Sequence, residues 1–472
     1  MIDIPDNFTG YLNIGTDSYA FSVSEDIVTL LPANSDPGER SEIFSRLEAH
    51  NTGGKEILYG RSGIDDVAFM YYGKANRGSL NLSPSAKFST SLIIKSAGNC
   101  FDHYARLTDR WDRFHAITFF GGNINSIFNP RIAIIRQKPE ELVRADGARE
   151  IKIRPFEDYT QEVQLNIGGE EASLTLSIAQ GGEGNDAEKN GAYNLGLLNS
   201  FIRITFKTAK GPETIPEYYR ILHELISILT RQNNVSFGIK LSQLNSNNQL
   251  YPSAICKTFD HYENYANKNS AHVTSIIGLV DYLPAIITML SEHKADALLA
   301  VLPDNNKNAG RISITNVQDL CTALEVAYEW ENKRAKKKKK KDELFKDFKG
   351  KIDEIIETFE TEHPEFNAQN QTTLSSAFQY LSYNARTKIL TLYEDHKDLI
   401  DPIIKKWSLP QINEESVTKF VKLRNGKTHG GAFSWGDSAD IYVPLLALVY
   451  ACFFRSAGVP DDVIAGALSN LF

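Results

Sequence analysis

The segment PQINEESVTKFVKLRNGKTHGGAF, residues 410–433, is typical of one amphipathic helix with a defined start and a defined end. Asn413 is a good helix cap, and the two glutamates directly after it suit the positive end of the helix dipole. Val417 and Phe420 lie three residues apart on one face, which predicts contact with a core. Two glycines near the end of the segment predict the end of the helix. The segment therefore predicts an α-helical environment for the last part of the chain.

Like this segment, nearly all of the chain from about residue 274 onward has helical periodicity. The run IYVPLLALVYACFF, residues 441–454, is too short to span a bilayer comfortably and contains Pro444, so we expect a buried core helix there. The expected helices cover residues 276–292, 317–334, 343–362, 372–392, 414–428 and 439–457.

The first half of the chain has a different pattern. Short runs rich in β-branched and aromatic residues, such as YAFSVS at 19–24 and RIAIIRQ at 131–137, are separated by turn residues. They predict a β-rich sandwich or barrel-like domain at residues 1–270, with one helix near 216–231. We expect an all-α helical bundle at residues 271–472.

Length and composition support this two-domain organisation. A chain of 472 residues exceeds what one hydrophobic core usually supports, and a hydrophobic content of 42% can fill two cores. The four cysteines are far apart in sequence, and the first residues show no signal peptide. We therefore expect a cytoplasmic protein that does not contact a membrane.

Charge is distributed unevenly along the chain. The net charge is −8, yet residues 333–351 contain eleven Lys and Arg against three Asp and Glu. Such a run can bind phosphates, and Lys336, Lys337 and Lys338 are the candidate RNA contacts. The alternative is a solvated helix junction, and the three-residue spacing of Phe345 and Phe348 favours core packing there.

The catalytic site that we predict lies at the end of the helix within residues 410–433. Arg424 follows Val417 by seven residues, so it extends the apolar stripe and requires a partner. Asn425 and His429 are four residues apart and share a neighbouring face. An imidazole exchanges protons near neutrality, and a guanidinium binds two phosphate oxygens at once. Arg424, Asn425 and His429 therefore suit RNA cleavage without a metal, with Lys427 adding charge.

An arginine five residues before a histidine is a weak pattern by itself. The same spacing occurs at Arg110 and His115, inside the β-rich region and without a following Asn. Residues 424–429 differ in context, because they lie on the penultimate expected helix and precede a strongly apolar one. From the residues alone, a catalytic site and a purely structural helix end remain equally plausible.

Other site types find no support in the sequence. The histidine pairs in HYARLTDRWDRFH and HYENYANKNSAH are twelve and eleven residues apart, which is not a metal-ligand spacing. We see no G-x-S-x-G motif, no phosphate-binding glycine motif and no well-placed carboxylate pair. We therefore predict neither a metal nor a cofactor.

RNGKTH at residues 424–429, within a C-terminal helical domain, resembles the R-x(4–6)-H signature of the HEPN superfamily. A β-rich front domain joined to such a module is similar to the ApeA type of antiphage abortive-infection protein. The resemblance implies a helical bundle that forms a homodimer, in which two motifs complete one metal-independent endoribonuclease site. HEPN proteins often have a further acidic or polar residue on an earlier helix. Glu325 is a candidate for that role, which the sequence leaves open.

The resemblance implies an enzyme of bacterial antiphage defence that cuts host or phage RNA, with tRNA as one candidate, by attack of the ribose 2′-hydroxyl. The β-rich domain would sense a phage-derived trigger or hold the nuclease inactive. The alternative is a non-catalytic dimerisation or RNA-binding scaffold, which would use Arg424 for packing.

Overall fold

The computed structural model of this chain describes residues 4–31, 56–76, 86–97, 110–135, 154–180, 198–259, 272–305, 311–334, 339–363, 385–428 and 439–472. The chain divides into two compact units. The first, here the β unit, comprises Met1–Thr230, Asn234–Ser270 and Ser275–Ser291; the second, here the helical unit, comprises Arg231–Asn233, Ala271–Thr274 and Glu292–Phe472. The predicted order of a β-rich front part and a helical back part is confirmed.

The strands of the β unit form one continuous antiparallel sheet. In the described ranges the strands are β1 Asn7–Ile14, β2 Asp17–Ser24, β3 Ile27–Leu31, β4 Glu56–Ser62, β5 Asp65–Asn76, β6 Ala86–Ser96, β7 Phe114–Phe120, β8 Gln161–Ile167, β9 Glu170–Gln180, β10 Leu198–Lys210, β11 Gly238–Leu244 and β12 Leu250–Thr258. Their order in the sheet is β3-β2-β1-β4-β5-β6-β12-β11-β7-β10-β9-β8.

Strand β6 closes part of this sheet into a barrel. Its first half pairs with β3, with Phe88 opposite Val28, while its second half pairs with β12, with Ile94 opposite Cys256. Strands β1 to β6 therefore form a closed ring, and β12 continues the sheet beyond this ring. A barrel has no exposed strand edges, which removes the need to protect them.

The barrel interior is filled with aromatic side chains. Phe21, Phe69 and Phe88 are fully buried, and the rings of Phe21 and Phe69 pack edge to face with centroids 5.1 Å apart. Strands β1 and β4 approach each other closely at two glycines. A Cβ at Gly60 would overlap the carbonyl oxygen of Tyr11, and one at Gly10 would overlap that of Arg61.

In the described parts of the β unit, three helices accompany the sheet: α1 Ile124–Ile127, α2 Ile215–Thr230 and α3 Leu283–Ser291. Helix α2 matches the helix predicted near 216–231 and packs on β10, where the rings of Tyr218 and Phe206 are 4.9 Å apart. Residues 276–292, which we predicted as one helix of the helical domain, form a 3-10 helix at Ile276–Tyr282 followed by α3. Both elements belong to the β unit, because α3 packs against β8.

The helical unit contains seven helices in its described ranges. They are α4 Asp296–Ala300, α5 Ile314–Arg334, α6 Lys339–Glu362, α7 Ala385–Lys406, α8 Glu414–Thr428, α9 Tyr442–Ser456 and α10 Asp461–Leu471. Helix α5 packs against α7, α8 and α9, and α9 also contacts α7 and α10.

Helix α9 is the core of this unit. Leu445, Leu448 and Phe453 are fully buried, so the prediction of a buried core helix there is confirmed. Pro444 lies in the first turn of α9, where its missing N–H costs little. Among the described residues, no helix has both the length and the apolar character needed to cross a membrane.

Several predicted elements were wrong in detail. A 3-10 helix at Pro130–Ala133 replaces the first part of the strand expected at 131–137. It forms because Pro130 starts it and the Asn129 side chain accepts a hydrogen bond from the Arg131 N–H. Helix α7 runs to Lys406 rather than ending at residue 392, because burial of Leu399 and Ile403 outweighs the helix-breaking Pro402. Helix α10 was not predicted, so α8 is followed by two helices and not one.

Replacing Gly60 with Ala should destabilise the β unit by about 1–3 kcal/mol, because the new methyl group overlaps backbone of β1. Gly278→Ala is the matched control, since an added Cβ there has no atom within 4 Å. Urea unfolding followed by fluorescence measures both. Equal midpoints for the two variants would contradict the close crossing of β1 and β4.

Candidate functional site

The structure describes one of the three predicted catalytic side chains. Arg424 lies near the end of α8, at Glu414–Thr428. Asn425 and Lys427 belong to the same helix, but their side chains lie outside the described part of the structure. His429 follows the last residue of α8 and also lies outside it, as do the three lysines at 336–338.

Helix α8 begins as its sequence predicts. The Ser416 N–H donates to Asn413 Oδ1 over 2.9 Å, and the Asn413 N–H donates to Ser416 Oγ over 3.0 Å. This reciprocal cap satisfies two of the backbone groups that a helix start leaves unpaired. Val417 and Phe420 are fully buried, which orients α8 on the bundle.

Arg424 forms an ion pair with Glu325 of helix α5. Arg424 Nη1 donates to Glu325 Oε1 over 2.7 Å, a distance typical of a strong charge-assisted hydrogen bond. The two side chains are 33% and 34% exposed, so solvent and ligands reach them. The structure thus brings together the predicted arginine and the acidic residue whose role the sequence left open.

A buried thiol of helix α5 lies near this ion pair. Cys321 lies one helical turn before Glu325 and is fully buried. Burial raises the pKa of the Cys321 thiol to about 12, an effect that Arg424 opposes and Glu325 reinforces. Cys321 is therefore a neutral thiol near neutrality and not a nucleophile.

The geometry suits recognition of an anion. A guanidinium carries five N–H donors in a rigid fork that matches the geometry of a carboxylate or a phosphate. Glu325 restrains the Arg424 side chain on the bundle surface and so lowers the entropy lost when a phosphate binds.

The second Arg–His pair of the sequence has a structural role. Arg110 donates through Nε to Asp112 Oδ1 over 3.0 Å, and the Tyr59 hydroxyl donates to Asp112 Oδ2 over 2.7 Å. Burial opposes ionisation of Asp112, but these hydrogen bonds outweigh it and hold the pKa of the carboxyl below its usual value. His115 accepts the Leu244 N–H at Nδ1 over 3.3 Å. Arg110 and His115 are therefore engaged within the β unit.

The Phe348 side chain does not pack in a core, although we predicted that it would. It is 52% exposed on α6. The basic run enters α6 at Lys339, and its described part includes an exposed ion pair between Lys351 and Asp347, 3.1 Å apart. Core packing thus does not account for Phe348, and the Lys351–Asp347 pair of the same helix is exposed to solvent.

A cavity of about 150 Å³ in the helical unit lies elsewhere. Its walls include Arg231, Arg311 and Tyr442, but neither Arg424 nor Glu325. The Arg231 guanidinium lies over the ring of Phe472, 4.8 Å from its centroid. The Arg424–Glu325 pair is therefore an open surface site and not part of this cavity.

Sequence reasoning missed a second group of reactive side chains. Glu331, His396 and Cys452 meet in the core of the helical unit, with their ligand-type atoms all within 4.8 Å of one another. No metal-ligand spacing within a single segment predicts these three residues, because each lies on a different helix. The only available signal was the occurrence of a His and a Cys within apolar helical stripes.

Comparison of this chain with protein-family models, with curated proteins and with solved structures finds no match. Membership of the HEPN superfamily therefore stays a prediction from residues 424–429.

A double-mutant cycle of Arg424→Ala and Glu325→Ala should give a coupling free energy of about 1 kcal/mol, because the pair is partly shielded from water. Lys419 and Glu415, an exposed pair on α8 with a 2.9 Å contact, provide the control. Their coupling should be about 0.3–0.5 kcal/mol. Urea unfolding measures both cycles, and a zero coupling for Arg424 and Glu325 would contradict the ion pair.

Proposed function

We propose that this protein is a metal-independent endoribonuclease whose active site is centred on Arg424 at the end of helix α8. The observation that carries the proposal is the Arg424–Glu325 ion pair, which holds a guanidinium at a solvent-accessible position five residues before His429. The RNGKTH segment resembles the HEPN signature, and Arg424 lies on helix α8 of the helical unit.

The proposed reaction is attack of a ribose 2′-oxygen on the adjacent phosphorus. The P–O5′ bond breaks, which leaves a 2′,3′-cyclic phosphate and a 5′-hydroxyl. His429 accepts the proton of the 2′-hydroxyl or donates a proton to the leaving 5′-oxygen. Arg424 binds the non-bridging oxygens, whose negative charge increases in the transition state. Asn425 orients the imidazole or the phosphate.

A single histidine cannot act as base and acid in the same step, and a second copy of the motif would supply the other group. We infer that the protein works as a homodimer in which two motifs face one scissile phosphate. Lys427 and the lysines at 336–338 would add positive charge for binding host or phage RNA, with tRNA as one candidate substrate. The β unit would sense a phage-derived trigger or hold the nuclease inactive.

A non-catalytic scaffold is the second candidate, and one observation favours it. Arg424 already has a carboxylate partner within its own chain, which is what a purely structural arginine requires. Such a scaffold would dimerise or bind RNA without cutting it.

The proposal predicts that His429→Ala lowers the rate of RNA cleavage by about 100-fold or more. The measurement uses purified full-length protein and a labelled RNA in buffer without Mg²⁺, and it identifies the terminal groups of the products. Lys419→Ala is the control, because Lys419 lies on the same helix and pairs with Glu415. Cleavage by His429→Ala at the wild-type rate would refute the assignment, and RNA binding without cleavage by the wild type would favour the scaffold.

A paired replacement separates catalysis from packing at Arg424. In Arg424→Met/Glu325→Met both charges are removed together, so no unpaired charge remains and stability should change by less than about 1 kcal/mol. Cleavage should still fall by about 100-fold to 1,000-fold, because the phosphate loses its cationic partner. Cleavage at the wild-type rate in this stable variant would show that Arg424 serves packing alone.

A further inference from the structure

The helical unit has a second polar cluster in its core, distant in sequence from residues 424–429. Glu331 is on α5, His396 on α7 and Cys452 on α9, so three helices that pack together each contribute one side chain. His396 and Cys452 are almost completely buried, and Glu331 is 19% exposed. Polar groups at such a place need partners, because an unsatisfied buried group costs about 1–3 kcal/mol.

The His396 ring is oriented so that one nitrogen faces the other two side chains. Nδ1 lies 3.0 Å from the carbonyl oxygen of Leu392, so this nitrogen carries the proton and donates it. In the neutral imidazole, Nε2 then has its lone pair toward Glu331 and Cys452. A histidine that binds a metal usually donates its other N–H to a carbonyl or carboxylate in this way.

A direct ion pair does not explain the Glu331–His396 contact. The distance from His396 Nε2 to Glu331 Oε1 is 3.4 Å, whereas a charge-assisted N–H···O bond is typically about 2.7–2.9 Å. Glu331 Oε1 is enclosed and has no hydrogen-bond partner among the described residues. The carboxylate oxygen therefore faces the imidazole without bonding to it.

The spacing does suit a tetrahedral metal ion. Typical zinc bond lengths and tetrahedral angles place a nitrogen and an oxygen ligand about 3.3 Å apart, and a nitrogen and a sulfur ligand about 3.6 Å apart. The observed distances from His396 Nε2 are 3.4 Å to Glu331 Oε1 and 3.8 Å to Cys452 Sγ. A cation between the three would neutralise the carboxylate and a thiolate that burial otherwise disfavours.

We propose that Glu331, His396 and Cys452 bind a divalent transition-metal ion, with Zn²⁺ preferred. A mixed thiolate, imidazole and carboxylate set suits zinc, and it leaves one tetrahedral position for a water or a further ligand. Binding releases the thiol proton of Cys452, because the thiolate is the ligand. The ion joins α5, α7 and α9, so its role is to stabilise the helical unit. It is separate from the proposed RNA-cleaving groups.

The test is a titration of metal-depleted full-length protein with Co²⁺, followed by its absorption spectrum. We expect about one equivalent per chain and a sulfur-to-cobalt charge-transfer band. Cys452→Ser should remove that band, while Cys321→Ser, which changes another buried cysteine of the same unit, should keep it. Glu331→Gln should weaken Co²⁺ binding by at least about tenfold, since even residues behind the ligands have effects of that size.

A thermal melt with added Zn²⁺ provides a measurement that does not depend on any variant folding. Zn²⁺ should raise the melting temperature of the metal-depleted wild type, because it binds the folded chain selectively. Folded wild type that shows no charge-transfer band and no Zn²⁺-dependent shift would overturn the proposal. A band that persists at full strength in Cys452→Ser would overturn it as well.

Discussion

Helix α5, Ile314–Arg334, is the element on which the helical unit depends. It packs against α7, α8 and α9, and its buried face includes Val317, Leu324 and Ala327. The same helix presents two carboxylates, Glu325 and Glu331, toward neighbouring helices. Each carboxylate requires a compensating group, so the position of α5 determines both polar sites of the unit.

The two carboxylates differ in exposure, and this difference separates their proposed roles. Glu325 is 34% exposed and holds Arg424 at a surface that RNA can reach. Glu331 is 19% exposed and faces the buried His396 and Cys452. A reactive guanidinium needs access to its substrate, whereas an ion that stabilises a bundle is best shielded from water. One helix thus supports a proposed catalytic surface on one side and a proposed metal-binding core on another.

Local patterns in the sequence predicted much of this structure. The cap at Asn413, the buried stripe of Val417 and Phe420 and the apolar helix α9 all follow from residues close together in the chain. Pairings between distant segments were not predictable, because nothing local specifies which neighbour a side chain meets. Glu325 and Arg424 are 99 residues apart, and His396 and Cys452 are 56 apart. The pairing of β3 with β6 that closes the barrel was not predictable either, since strand periodicity does not specify which strands pair.

In the proposed reaction, Arg424 and His429 promote cleavage of a phosphodiester by attack of the ribose 2′-hydroxyl. The most direct measurement compares an RNA substrate with the same RNA carrying a single 2′-deoxy sugar at the mapped cleavage position. The account predicts that this replacement abolishes cleavage at that bond while the affinity for the oligonucleotide is unchanged. Cleavage of the deoxy-substituted bond at the rate of the all-ribose substrate would contradict it.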